Sequence, residues 1–145
     1  MILPGIYVPV GAELTALDRA RAMWLWTGGR AVLTGHSAAA LWGVRWIDAD
    51  APASCAVDRR VAAPPWVHAH RAVVAPQDCT TRRGMAVTTP LRTAYDLGRW
   101  LEVDEATTMV DALLQTGRLT RAGLEDYVRA QPARRGVCRL RRVLA

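Results

Sequence analysis

Gly35-His36-Ser37-Ala38-Ala39 follows a short apolar stretch, Ala31-Val32-Leu33-Thr34, and runs into small residues that end at Trp42 and Gly43. In α/β-hydrolases a Gly-x-Ser-x-Gly turn between strand and helix exposes a serine nucleophile, and the chain later supplies an acid and then a histidine. The only histidines after Ser37 are His68 and His70, too close to leave room for the strand and helix units between triad members. Ala39 replaces the last glycine, and no His-Gly-Gly-Gly-like oxyanion segment exists. The segment therefore reads as a helix start in which Thr34 or Ser37 bonds backbone amides. No catalytic residue is expected and the chain reads as non-enzymatic, with a serine hydrolase using Ser37 as the alternative.

His68 and His70 alternate on a predicted strand, so both imidazoles project from one face. Two ligands fall short of the four of a structural zinc or the three of a catalytic one. Asp48, Asp50 and Asp58 are scattered in loops, where carboxylates are usually solvated. The expectation is no metal and no cofactor. Six tryptophans, at positions 24, 26, 42, 46, 66 and 100, suit base stacking in principle. With no Phe in the chain they must also supply the large core aromatics, and most are assigned that role.

Charge is the more informative signal. All 19 basic residues are Arg, against 13 acidic ones, for a net charge of +6. Residues 118–145 hold eight Arg and two acids, whereas residues 1–117 hold eleven of each. The whole excess lies in the last 28 residues. On a terminal helix from about Arg134, Arg135, Arg139 and Arg142 cluster on one face, flanked by Arg134 and Arg141, with Val137, Leu140 and Leu144 opposite. A basic stripe over an apolar seam is the footprint of phosphate-backbone contact. A solvated arginine face on a docked helix is the competing reading, because the absence of Lys, Phe and Asn resembles the codon bias of a GC-rich genome, which inflates Arg.

The elements that must position these groups follow from capping and period. Thr15 and Asp18 form a capping-box pattern that opens a helix with Leu17, Ala20, Trp24 and Leu25 on one side, ended by Gly28-Gly29. Ser37–Trp42 is a tightly packing small-residue helix. Ala53–Asp58, Trp66–Val74 and Met85–Thr88 read as strands separated by Pro64-Pro65 and the polar loop Gln77–Gly84. Thr89-Pro90 starts a helix with Leu91, Ala94, Tyr95 and Leu101 on one face. A second helix spans Val103–Thr116, with Ala106, Met109, Val110 and Leu113 inward. A third starts at Thr120, where Leu119 and Leu124 form a staple, and ends before Pro132. The expected fold is a single α+β domain over 1–145, a small antiparallel sheet flanked by helices with a helical C-terminal third. Within it, 1–51 is helical, 52–89 forms the sheet and 90–145 is helical, ending in the basic helix.

Three segments, Gly5-Ile6-Tyr7-Val8-Pro9, Val32 through Gly43, and Val87 through Leu97, resemble in order and spacing the AbiEi-type antitoxin and transcriptional-regulator family common in actinobacteria. The resemblance implies the family's middle module: the recognition helix of the N-terminal winged helix and the C-terminal endonuclease-like domain fall outside the matched segments. It implies an antitoxin-like or regulator-like role, with DNA and a protein as candidate partners. A truncated remnant acting only in protein interaction is the further alternative. The N-terminus lacks a positive n-region and no apolar run approaches the ~18 residues of a membrane span. Cys55, Cys79 and Cys138 are odd in number and isolated. Reduced thiols in a cytoplasmic protein, with no membrane partner, are expected.

Overall fold

The Thr15 hydroxyl accepts the Asp18 N–H at 3.1 Å while the Asp18 carboxylate accepts the Thr15 N–H at 3.0 Å, so the expected reciprocal cap opens α1 (Ala16–Trp26). The computed structural model describes residues 3, 5–11, 13–45, 47–48, 51–131 and 136–145. Trp46, Asp50, Arg134 and Arg135, singled out above, lie outside the described residues. Ala20, Ala22 and Met23 face the core from α1, and Leu25, expected beside them, is 51% exposed. Two residues beyond Met23 is about 200° of helical rotation, which carries Leu25 to the far side.

After α1 the chain forms β1 (Val32–Leu33), α2 (Gly35–Leu41), β2 (Ala53–Val57) and β3 (Val67–Arg71). A 3-10 turn over Pro76–Asp78 then leads into β4 (Cys79–Arg82) and β5 (Met85–Thr88). Four helices complete it: α3 (Pro90–Trp100), α4 (Val103–Gln115), α5 (Arg121–Ala130) and α6 (Val137–Leu144). The fold is α+β with a helical C-terminal region, as expected.

The sheet itself corrects one expectation. It has five strands in the order β3-β2-β1-β5-β4 and is mixed rather than antiparallel. β1 pairs antiparallel with β2 and β4 with β5, but β2 with β3 and β1 with β5 run parallel. The proline-containing connection between β2 and β3 is long enough to carry the chain back to the start of β2, setting Ala53 opposite Val67, so the pair is a crossover and not a hairpin. β1, in the region assigned to helices, is the middle strand. The stretch read as a polar loop holds β4, whose turn into β5 places both Arg83 (φ 52°) and Gly84 (φ 78°) in the left-handed region, as a two-residue type I′ hairpin demands.

α3 organises the helical part. Its residues Arg92 to Gly98 are buried without a break, because α2, α4, α5 and α6 all pack against it. The amphipathic reading of Leu91, Ala94, Tyr95 and Leu101 covers only part of that surface. A helix enclosed all round must pair any charge it carries, and α3 carries three.

Candidate nucleic-acid interface

α6 is seated by its apolar side: Val137 and Leu140 are buried, and the helix lies against α3 and α4. The same rotation turns Arg141 and Arg142 out to solvent. Neither makes an ion pair among the described residues. Arg139, expected on the same basic face, is placed differently. Its Nη1 donates to Trp100 O at 3.2 Å and Leu101 O at 3.1 Å, so it is committed to the unpaired carbonyls at the end of α3. The helix begins at Val137 rather than near Arg134. Of the five arginines proposed as one stripe, the structure thus presents two outward, spends one on capping, and two lie outside the described residues. Arg121, on α5, donates to Leu144 O and pairs with Glu125, holding the end of α6.

The charges enclosed with α3 form a closed network that the sequence reading missed. Arg92 Nε lies 3.0 and 3.1 Å from the two Asp96 oxygens, one helical turn on, and its Nη1 reaches Asp78 at 3.1 Å. Arg99 donates to Asp96 at 2.7 Å from the other side, and the Tyr127 hydroxyl donates to Asp78 at 2.8 Å. Burial pulls the Arg92 pKa down, but Asp96, Tyr127 and Asp78 together outweigh it and the guanidinium ends above its ordinary value. Burial, reinforced by donation to Asp78, pushes the Tyr127 phenol up. Two carboxylates balance two guanidiniums, so these groups tie α3 and α5 to the sheet at β4. The signal was present as Arg92 and Asp96 four apart on a helix with little exposed surface.

Ser37 is 2% exposed and its hydroxyl accepts the Ser54 N–H at 2.9 Å. The antiparallel ladder explains why. Thr34 N–H donates to Ser54 O, but Thr34 O is taken by the Ala38 N–H as α2 begins, leaving the Ser54 amide for Ser37. Thr34 bonds the Ser54 hydroxyl at 2.9 Å and caps nothing in α2. These hydroxyls therefore join helix to sheet instead of capping the helix as expected. His36 lies 3.6 Å from Glu105 across the α2–α4 boundary, and burial lowers its pKa against the pull of that carboxylate.

His68 and His70 do share a face, with ring centroids 5.3 Å apart, and both pack edge-on against Trp100. The His70 pKa is lowered by burial and then by His68. No group of three or more His, Cys, Asp or Glu side chains gathers as a metal would require among the described residues. Cys55, Cys79 and Cys138 are all free thiols, and burial pushes Cys55 up to about 11. Among the described residues no helix is long and apolar enough to cross a membrane. Comparisons with models of known families, with curated proteins and with solved structures return no match.

Proposed function

We propose that this chain is a non-enzymatic, antitoxin-like or regulator-like cytoplasmic module that engages nucleic-acid phosphates weakly through α6. The observation that carries the reading is the seating of that helix: Val137 and Leu140 fix it in the core while Arg141 and Arg142 face solvent without a carboxylate partner among the described residues. An amphipathic helix docked in this way offers its charge to a polyanion without reorganising. The net charge of +6 favours encounter with such a partner. The order and spacing of the three segments that resemble AbiEi-type proteins support the regulator-like role. Arginines that touch phosphates position a protein and read no bases, so sequence preference should be slight.

Fluorescence anisotropy with a random duplex tests it. If Arg141 and Arg142 neutralise two phosphates, log K falls against log salt with a slope of about −1.8, and the double change Arg141→Gln, Arg142→Gln removes most of that slope. Absence of binding at ~50 mM salt and micromolar protein, or binding indifferent to the double substitution, overturns the proposal.

A further inference from the structure

Trp42, at the end of α2, carries two guanidinium groups. Its indole N–H donates to Thr88 O at 2.8 Å, which fixes the ring. Arg82 lies 5.1 Å and Arg118 5.3 Å from the ring centroid, both within cation–π range. Each also gives its Nε–H to one of the last carbonyls of α2, Arg82 to Leu41 O at 2.7 Å and Arg118 to Trp42 O at 3.1 Å. The end of β4 and the α4–α5 turn are thereby pinned to one helix end. Binding through Nε leaves the terminal Nη groups, the part of the fork that grips oxyanions.

Arg83 follows in the exposed β4–β5 turn and lines a groove with Arg45 beside Gly43 and Val44. None of Arg82, Arg83 and Arg118 has a carboxylate partner among the described residues. Arg82 and Arg118 meet over one indole ring and Arg83 is the next residue after Arg82, and burial and then repulsion from Arg118 and Arg83 hold the Arg82 pKa below its ordinary value. The carbonyl end of α2 offsets only a fraction of a charge. Capping one helix end accounts for two guanidiniums held in place, and the ring and the helix end offset only part of their mutual repulsion.

We infer that Arg82, Arg118 and Arg83 form a preorganised phosphate-binding site around Trp42, separate from the arginines of α6. An oxyanion there relieves the like-charge repulsion and meets donors already fixed by backbone carbonyls. Trp42 is 8% exposed and packed beneath the guanidiniums, so its ring is not free to stack on a base. The site recognises phosphate itself, whether on a nucleic-acid strand or in a small polyphosphate.

Nitrogen-labelled protein followed by two-dimensional NMR tests this, using the Nε–H signals of Arg82 and Arg118 and the indole N–H of Trp42. Pyrophosphate and a short single-stranded oligonucleotide are titrated separately at ~50 mM salt. The three signals should move together with at least one probe. Response to pyrophosphate alone assigns the site to small polyphosphates, and response at lower oligonucleotide concentration assigns it to a strand. Arg82→Gln removes a helix cap, so Arg83→Gln, which touches no α2 carbonyl, is the cleaner variant. It should keep its circular dichroism and bind the active probe about threefold more weakly. Arg82→Lys should also weaken binding, having charge without the fork. The double change Arg141→Gln, Arg142→Gln should leave the pyrophosphate response intact, so failure of the α6 reading would show separately. Signals unmoved by millimolar pyrophosphate and by the oligonucleotide, or wild-type affinity in folded Arg83→Gln and Arg82→Lys proteins, overturn the inference.

Discussion

Asp96 answers Arg92 from one side and Arg99 from the other while 1% exposed. Removing it leaves two enclosed guanidiniums without their shared counter-charge. Such a loss costs about 3–5 kcal/mol where a buried pair is broken from one side. Asp96→Ala should therefore be among the most destabilising single changes, measured by urea denaturation. A loss under ~1 kcal/mol would mean that solvent reaches the arginines and the network carries little. The buried imidazole of His36 and the half-buried one of His70 make a second statement at this scale. His36 faces Glu105 and Asp48, and His70 faces His68, Asp96, Arg92 and Arg99, yet burial lowers both below the ordinary 6.5. The unfolded chain then binds more protons than the folded one below that value. Their contribution to stability is complete above it and is lost as pH falls through the folded pKa values. The melting temperature should drop between about pH 7 and 5, and His36→Gln with His70→Gln should flatten that part of the profile. An unchanged slope in the double variant would assign the acid sensitivity to carboxylates instead.

At the scale of elements, α3 and α6 approach closely at Gly98. A Cβ placed on Gly98 would overlap Leu140 Cδ1 and lie 3.1 Å from its Cγ, and Leu140 is itself fully buried. In an open helix Gly→Ala gains about 1 kcal/mol. Here Gly98→Ala should instead lose about 1–3 kcal/mol from overpacking, and the double change with Leu140→Ala should lose less than the sum of the two single losses, since both act on one contact. A neutral or stabilising Gly98→Ala in urea titration would mean that the two helices separate easily. Helix starts were the most legible elements, because Thr15 with Asp18 and Thr89 with Pro90 encode their caps in adjacent residues. β1 was not, since two residues give no alternation to read and its place at the centre is set by neighbours far along the chain. β4 hid for another reason: Cys-Thr-Thr-Arg on an edge strand has polar residues on both sides, so it resembles a loop. The direction of β3 was illegible because it depends on how far its connection reaches. For α6 the apolar seam was readable and the fate of Arg139 was not, because a long side chain can leave its nominal face to meet the carbonyls of a helix the sequence does not place nearby.

Across the whole molecule, what matters is that several junctions among the described residues are bridged by specific bonds. Asp78, just before β4, meets Arg92 on α3 and Tyr127 on α5. Thr88 at the end of β5 shares a 2.7 Å hydroxyl contact with Thr93 on α3. Ser37 on α2 completes the amide pairing of β2, and Arg118 from the α4–α5 turn closes α2. One continuous hydrophobic cluster runs beneath these bonds, from Leu3 through Leu33 and Val87 to Leu140. Neither the sheet nor the helical part then has a complete core without the other, and partial unfolding would expose buried ions as well as apolar surface. We therefore expect one cooperative transition in urea, with an m-value of about 1–3 kcal/mol/M. The tryptophans allow a strict check, because Trp24, Trp26 and Trp42 report on the N-terminal helices and Trp100 on the end of α3, while far-ultraviolet circular dichroism weights the helices throughout. Fluorescence and dichroism should give the same midpoint under reducing conditions, and Asp96→Ala should move both curves together. Two separated midpoints, or an Asp96→Ala effect confined to one probe, would divide the chain into independently folding parts and remove the basis for a shared core.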